Sequence, residues 1–269
     1  LVGERRLGRF LLLLAHARSV AGRVGAVAGD RCGLTPAARG GPSPSRRGLA
    51  GHYHLLMRII AGRHRGRALV VPEGRETTRP ITDMLKETLF NRLTSLGALE
   101  PDGFTCFDLF CGTCSLVLEA LSRGAGRVTF VDTDRAAIRG LRQNLDTLGE
   151  TDKADVRPQS ATATAWLRTH RPDVVTLAFV DPPFAMMDDT DDRDRLGELL
   201  SAMLPTLEPG GVVVLRGPRR ATAIDAAGYD GPASFPYGAN VLHFYQRPME
   251  ATTSEGPDTD TPEEARAGA

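Results

Sequence analysis

The chain has 269 residues, of which 41% are hydrophobic and 25% charged, enough for one sizeable α/β domain with tails or for two small domains. Its formal net charge is zero because an arginine-rich beginning and an acidic end cancel, so neutrality excludes no class of partner. No run approaches the roughly 20 apolar residues that a membrane-spanning helix needs, so we expect no membrane association.

Residues 1–56 begin with Leu1 rather than Met and become rich in Gly, Pro, Ser and Arg. A short apolar run at 10–15, between arginines, superficially resembles a targeting segment. We interpret 1–56 as a disordered lead or an upstream extension, with a targeting segment as the alternative.

Two β-prone runs, 57–62 and 68–72, flank a basic turn that contains glycine, which predicts a β-hairpin. Clustered arginine is typical of a surface that binds a phosphate backbone, although a merely solvated hairpin remains the alternative. The predicted RNA-binding residues are Arg58, Arg63, Arg65 and Arg67. A helix over 83–93 follows, with Thr82 as its N-cap, and completes an N-terminal unit over 57–100.

From residue 101 to 248, strands and helices alternate, which predicts a mostly parallel sheet with crossover helices. The predicted strands are 105–110, 127–132, 155–159, 174–180 and 212–215, and the predicted helices are 115–123, 135–148, 163–169 and 195–204. A late strand over 239–246 is predicted to pair antiparallel at the edge. Residues 249–269 form an acidic tail with little to bury, so we expect them to be disordered.

The first strand runs through Asp108 and Phe110 into a turn of small residues around Gly112, and then into a helix. Such a turn lets a ligand lie close to the backbone, and Asp132, about twenty residues on, suits a ribose diol. A dinucleotide-binding fold would give the same outline. Cys111 and Cys114 form a Cys-x-x-Cys pair, but no second pair completes a zinc site, so we predict no metal and a reduced, cytoplasmic protein.

The fourth strand ends in Asp181, Pro182, Pro183 and Phe184. Prolines fix φ and remove backbone donors, so this tetrapeptide is a stiff lip at the strand end where α/β sheets bind ligands. An ordinary proline turn is the alternative. The lip offers acceptors for both hydrogens of an exocyclic amine and a ring on which a base could stack. This chemistry favours amine methylation from S-adenosylmethionine, of a base that is unstacked or flipped out.

Over residues 57–247 the chain resembles the bacterial small-subunit (16S) ribosomal RNA guanine-N2 methyltransferases. The marks of the resemblance are residues 57–62, 65–67, 78–80 with Asp83, 86–87 with 89–91, 108–112, 118–125 and 179–184. The resemblance implies a class I, Rossmann-like α/β methyltransferase fold with a seven-stranded, mostly parallel sheet and one antiparallel edge strand. It also implies S-adenosylmethionine as donor and a guanine of 16S rRNA, in a small-subunit assembly intermediate, as acceptor. We expect the enzyme to be a monomer.

The resemblance also assigns roles to residues. Arg79 and Asp83 would close over the cofactor. Asp108, Phe110 and Gly112 would line its methionine side, Asp132 would bind its ribose, and Ser160 and Ala161 would lie by its adenine. Asp181, Pro182, Pro183 and Phe184 would form the target site.

Three positions depart from the family pattern. Cys114 stands where a second glycine is usual and Val117 where a small residue is usual, which predicts weaker cofactor binding or a shifted turn. Ser160 replaces a more polar acceptor. Two alternatives stay open. The arginine cluster does not distinguish RNA from DNA, so the chain could be an amino-methyltransferase for DNA adenine, another RNA or a protein amine. Cys114 and Val117 motivate the second alternative, a degenerate fold that acts as an RNA-binding assembly factor.

Overall fold

The computed structural model describes residues 57–71, 81–100, 102–171 and 174–249, together with Gly8 and Leu12. Apart from those two residues, the predicted lead over 1–56 lies outside the described residues. The predicted tail from residue 250 onward and Arg79 also lie outside them.

Between Asp83 and Gln246, seven strands and four α-helices follow one another. The strands are β1 (Thr105–Leu109), β2 (Arg127–Asp132), β3 (Ala154–Pro158), β4 (Val175–Val180), β5 (Leu207–Pro218), β6 (Asp230–Tyr237) and β7 (Asn240–Gln246). The helices are α1 (Asp83–Leu96), α2 (Ser115–Ser122), α3 (Arg135–Leu148) and α4 (Thr190–Met203), with short 3₁₀ helices at Thr164–Thr169 and Phe184–Met187. None of the described helices is long and apolar enough to cross a membrane.

The strands form one sheet in the order β3-β2-β1-β4-β5-β7-β6. Strands β1 to β5 are parallel, and β7 runs antiparallel to both β5 and β6. The predicted α/β class with a mostly parallel, seven-stranded sheet is confirmed. The placement of the antiparallel strand at the edge is wrong, because β6 lies outside β7. The sequence of β6 contains Pro232 and Pro236, which hide the strand pattern but are tolerated in an edge strand.

Helices cover both faces of the sheet. Apolar residues of α1, α2 and α3, such as Phe90, Leu118 and Leu141, pack with Phe130 and Phe179 on one face. The 3₁₀ helix Thr164–Thr169 and α4 supply Trp166 and Leu199 to the other face. Because both faces are covered, ligands have access to the sheet at its strand ends.

Local capping explains where the helices begin. Thr82 Oγ1 accepts a hydrogen bond from Leu85 N at 3.2 Å at the start of α1, as predicted. Helix α4 begins five residues before the predicted position, because Asp189 caps it by accepting a hydrogen bond from Asp192 N. Asp191 and Asp192, which lie before the predicted start, therefore belong to the first turn of the helix, where the helix dipole favours negative charge.

The predicted hairpin consists of a single antiparallel bridge between Arg58 and Ala68, with Ile59 N donating to Arg67 O at 3.0 Å. Its turn docks on the end of α2. The buried Glu119 carboxylate accepts hydrogen bonds from Ile60 N at 2.7 Å and from Ala61 N at 2.9 Å. The hairpin is therefore held both by backbone hydrogen bonds between its two arms and by its contacts with α2.

Candidate functional site

The predicted site lies along the carboxyl edge of the four central strands. The register pairs Leu109 with Val131 and with Val180, and Val180 with Leu215. The residues that follow these pairs therefore stand side by side: Phe110, Asp132, Asp181 and Arg216. One edge of the sheet thus carries the predicted cofactor residues and the predicted target residues together.

The turn after β1 has an unusual backbone. Phe110, Gly112 and Cys114 all have positive φ, of 62°, 49° and 57°. Only glycine adopts this region without a steric cost, so the two other residues hold the turn under strain. Cys114 is also the N-cap of α2, and its side chain makes no capping hydrogen bond. Cys114, which stands where the family usually has glycine, therefore has a backbone conformation that favours glycine.

Asp132 ties this turn to the next strand end. Its Oδ2 accepts a hydrogen bond from Gly112 N at 2.9 Å, and its Oδ1 accepts one from Asp134 N at 2.8 Å. Each carboxylate oxygen has a second lone pair, so the group can still accept hydrogen bonds from a ligand's hydroxyls. The structure places Asp132 against the turn after β1; its role at a ribose stays a prediction.

Asp108 is buried on β1 beneath the turn, and its Oδ2 has no hydrogen-bond partner among the described residues. Burial, followed by the nearby charges of Asp181 and Asp132, raises the pKa of Asp108 well above its usual value. A buried carboxyl oxygen without a partner is costly unless a ligand satisfies it. A cationic N–H donor would satisfy this oxygen.

Asp108, Cys111 and Cys114 also meet the distance requirement for a metal site, since their ligand atoms lie within 4.8 Å of one another. The hydrogen bond with Cys114, and then burial, raise the pKa of the Cys111 thiol well above its usual value. A metal binds the thiolate, so these contacts oppose metal binding. We therefore interpret the hydrogen-bonded thiols of Cys111 and Cys114 as groups that stabilise the turn rather than as metal ligands.

The Asp-Pro-Pro-Phe lip is held at both ends. Asp181 N donates to Leu109 O at 3.1 Å, which continues the pairing of β4 with β1. Pro182 is buried and Pro183 is exposed, and the half-buried Phe184 opens the 3₁₀ helix Phe184–Met187. The structure thus brings the four predicted target residues together at the strand end.

Arg216 is a site residue that the sequence did not reveal. Its Nε donates to Asp181 Oδ1 at 2.6 Å, and its Cζ lies 5.3 Å from the centroid of the Phe184 ring. Its Nη1 also donates to Asn240 Oδ1 at 3.3 Å. The predicted strand ended at residue 215, three residues before the end of β5 at Pro218, and so left Arg216 outside the strand.

The other predicted cofactor residues are less clearly placed. Asp83 Oδ2 accepts a hydrogen bond from Arg58 Nε at 2.8 Å, which connects α1 to the hairpin. Ser160 Oγ lies 2.9 Å from Thr162 Oγ1, and the buried Ala161 accepts a hydrogen bond from Trp166 Nε1 through its carbonyl. Both residues follow β3, whose Pro158 is paired with Asp132. Their roles at the adenine stay predictions.

The four predicted RNA-binding arginines fall into two pairs. Arg58 forms an ion pair with Asp83, and Arg63 Nε forms one with the buried Glu150 at 2.8 Å. Arg65 and Arg67 are exposed, with no ion pair among the described residues. Two of the four charges are therefore partly neutralised within the chain.

Comparisons with known proteins agree with this architecture. A family model described as conserved hypothetical protein 95 matches residues 57–246. Ribosomal RNA small subunit methyltransferase D of Escherichia coli strain K12 is 39% identical over 128 residues, which cover 48% of this chain and 60% of that protein. The protein of the same name from Haemophilus influenzae is 42% identical over 131 residues, which cover 48% of this chain and 64% of its own. The chain thus spans less than two thirds of the length of these two relatives.

Solved structures share the fold over a longer stretch. A candidate methyltransferase of Escherichia coli, yhhF, is 30% identical with a TM-score of 0.59, covering 72% of this chain and 99% of that one. A hypothetical protein of Thermus thermophilus is 28% identical with a TM-score of 0.54, covering 70% of this chain and 97% of its own.

Proposed function

We propose, from the finding that the chain belongs to the family described as conserved hypothetical protein 95, that it methylates the exocyclic N2 amine of a guanine in 16S rRNA. The fold is the class I, Rossmann-like methyltransferase fold, as predicted. The names of the Escherichia coli and Haemophilus influenzae relatives support small-subunit rRNA as the substrate.

The observation that carries the proposal is the placement of the lip beside the cofactor turn. Asp181 follows Val180 in β4, and Val180 is paired with Leu109 of β1, so the lip and the turn are adjacent along the sheet edge. The side chain of Asp181 is 19% exposed, so a ligand can reach it. Acceptors for an amine therefore lie next to the turn after β1, which would hold the cofactor. This arrangement suits the transfer of a methyl group to an amine.

S-Adenosylmethionine, when bound, would supply an electrophilic methyl group. Asp132 would hold its ribose hydroxyls and Asp108 its ammonium group, because these carboxyls face the turn after β1. Cys114 adds a side chain there, so we expect the cofactor to bind more weakly than it would with glycine.

The lip would orient the amine. The nitrogen lone pair of guanine N2 is delocalised into the ring, so acceptors for its hydrogens must localise the pair and aim it at the methyl group. Oδ1 of Asp181 is engaged by Arg216, which leaves Oδ2 as the acceptor, with the carbonyl of Pro182 as the second. Phe184 would stack on the base, and Asp181 would accept the proton that the amine loses on transfer.

Labelled methyl transfer tests the proposal directly. Full-length protein is incubated with S-adenosylmethionine and either immature small subunits, mature small subunits or duplex DNA, and the nucleosides are then analysed by mass spectrometry. We expect N2-methylguanosine in the immature small subunits alone. Label in methyladenine, in duplex DNA or in protein would contradict the proposal.

The variant Asp181→Ala serves as the matched control. We expect its turnover to fall sharply, while calorimetry finds the affinity for S-adenosylmethionine nearly intact, because Asp181 contacts the amine rather than the cofactor. Unchanged turnover in Asp181→Ala would remove this residue from the mechanism.

A second candidate function rests on one observation, the buried Cys114 side chain at a φ of 57° in the cofactor turn. If this turn no longer admits the cofactor, the chain would act as an RNA-binding assembly factor. Calorimetry distinguishes the two functions: RNA binding without detectable heat from S-adenosylmethionine would favour the assembly factor.

A further inference from the structure

Helix α3 carries three arginines on one exposed face. Arg135, Arg139 and Arg142 are spaced four and three residues apart, so their side chains point to the same side of the helix. All three are exposed, and within the described ranges no ion pair involves any of them. Asp146, one turn further on, is the acidic residue of this face.

The arginines of this face form fewer ion pairs with carboxylates than those of the hairpin do. Glu150, just beyond α3, accepts ion pairs from Arg63 Nε at 2.8 Å and Lys153 Nζ at 3.1 Å, and lies 2.6 Å from His64 Nε2. The single negative charge of Glu150 offsets one of these positive charges, and Arg63 is the one among the three groups that the sequence pattern assigned to RNA. Among the described residues, the basic side chains of this surface that form no ion pair are Arg65 and Arg67 of the hairpin and the three arginines of α3.

The hairpin and α3 form one continuous surface. Val70 N donates to Asn144 Oδ1 at 2.8 Å, and Asn144 Nδ2 donates back to Val70 O at 3.0 Å. Asn144 is a buried residue of α3, so this pair holds the chain just after the hairpin against the helix. The contacts of His64 and Arg63 with Glu150 hold the turn of the hairpin near the end of the same helix.

The other end of the arginine face reaches the cofactor edge. Arg135 is three residues after Asp132, and Asp134 caps α3 between them by accepting hydrogen bonds from Ala136 N and Ala137 N. From Arg135 to Arg142 the helix rises roughly 10 Å. Basic side chains thus follow α3 from the rim of the proposed site toward the hairpin.

We infer that Arg135, Arg139 and Arg142 bind the phosphate backbone of the substrate RNA and guide it from the hairpin to the proposed site. Guanidinium groups pair with phosphate in a fork geometry, and each neutralised phosphate releases counterions. This inference rests on the proposed function, because it takes RNA as the substrate. It differs from the sequence prediction, which assigned RNA binding to the hairpin alone.

The test compares two triple variants of the full chain that lose the same charge. The first is Arg135→Gln with Arg139→Gln and Arg142→Gln. The control is Arg168→Gln with Arg171→Gln and Arg195→Gln, three exposed arginines located on or next to elements that pack on the other face of the sheet. The affinity for a 16S rRNA fragment is measured by filter binding at several salt concentrations, without cofactor.

We expect the α3 variant to bind RNA at least tenfold more weakly at low salt. The slope of log affinity against log salt should fall by about 2 to 3, since each phosphate contact contributes roughly 0.7 to 0.9. The control should keep the wild-type slope. Calorimetry with S-adenosylmethionine should give the same affinity for all three proteins, which would show that the α3 variant is folded.

An unchanged salt slope in the α3 variant, or an equal loss of slope in the control, would overturn the inference. These results differ from a failure of the proposed function, in which the wild-type protein would not form N2-methylguanosine on immature small subunits. The binding assay requires no methyl transfer, so the two failures can be told apart.

Discussion

Arg216 Nε lies 2.6 Å from Asp181 Oδ1, across two parallel strands whose preceding residues, Leu215 and Val180, are paired in register. The side chain of Arg216 is only 12% exposed and that of Asp181 19%, so the pair is largely protected from solvent. A charge-assisted hydrogen bond of this kind is stronger than one between neutral groups. It engages Oδ1 of Asp181, and in the proposed mechanism Oδ2 accepts the hydrogen bond from the substrate amine.

The first prediction concerns Arg216 as a positioning residue. Arg216→Gln removes the charge, and Arg216→Lys keeps the charge but loses the fork that holds Asp181 and Asn240 together. We expect kcat to fall on the order of tenfold to a hundredfold in Arg216→Gln, because a small displacement of a positioned group costs this much. The KM for S-adenosylmethionine should stay close to wild type, and Arg216→Lys should recover part of the kcat.

Steady-state kinetics with immature small subunits measures both quantities. A merely structural role for Arg216 would lower the thermal stability and raise the KM for both substrates, without partial recovery in Arg216→Lys. That pattern would contradict a positioning role.

The second prediction concerns the docking of the hairpin. Gly62 and Gly66 both have positive φ, of 79° and 84°, but a Cβ on Gly62 would lie 2.0 Å from Ser122 O, whereas nothing lies within 4 Å of one on Gly66. Gly66→Ala should cost about 1 to 2 kcal/mol, the strain of the backbone alone. Gly62→Ala should cost several kcal/mol, roughly 3 or more, because the turn must leave α2.

Denaturant unfolding measures both costs, and limited proteolysis of the hairpin reports whether it has left α2. The hydrogen bond from Arg63 N to Ser122 O, 2.8 Å long, would be lost in Gly62→Ala. Equal costs for the two variants would mean that the close approach of the turn to α2 contributes nothing.

Local sequence signals predicted the elements nearest the site with good accuracy. The bounds of β2 and α3 agree with the prediction. The signals that define them, an apolar run for β2 and a capped stretch with helical periodicity for α3, are contained in a few consecutive residues. The Asp-Pro-Pro-Phe lip was predictable for the same reason, since its stiffness is a property of consecutive residues.

Long-range pairing could not be predicted in the same way. Glu150 meets His64 across 86 residues, and Asp181 meets Arg216 across 35. Neither partner carries a local mark of its role: Glu150 follows a glycine at the end of α3, and Arg216 continues an apolar strand. The placement of β6 beyond β7 likewise depends on sheet pairing that its prolines disguise.

The third prediction concerns the strained cofactor turn. Cys114→Gly and Cys114→Ala both delete the buried thiol, but only glycine relieves the backbone, whose φ is 57°. We expect Cys114→Gly to be more stable than Cys114→Ala by about 1 kcal/mol, the usual cost of this conformation for a residue with a Cβ. Its affinity for S-adenosylmethionine should be equal to or higher than that of the wild type.

Thermal unfolding and calorimetry on the three proteins give these differences. Equal stability of the glycine and alanine variants would show that the turn is not strained at this position. Weaker cofactor binding by Cys114→Gly would show that the thiol supports the turn rather than obstructs it.

The fourth prediction concerns the pH dependence of stability. His243 of β7 is buried; its Nδ1 lies 2.7 Å from Ser234 Oγ, and its Nε2 has no partner among the described residues. Burial, and then the charge of Arg193, lower the pKa of His243 from 6.5 to about 4. Between these two values the unfolded chain therefore binds a proton that the folded chain does not.

The sign of the effect follows from this difference in proton binding. The contribution of His243 to stability is fully present above pH 6.5 and is lost as the pH falls toward 4, by about 3 kcal/mol in all. Carboxyl groups titrate in part of the same range, so the quantity to measure is the difference between wild type and His243→Gln, which keeps a polar partner for Ser234. The free energy of unfolding, measured in urea from about pH 7 to about pH 4, should fall more steeply in the wild type. Parallel curves for the two proteins would mean that the pKa of His243 is the same in the folded and the unfolded chain.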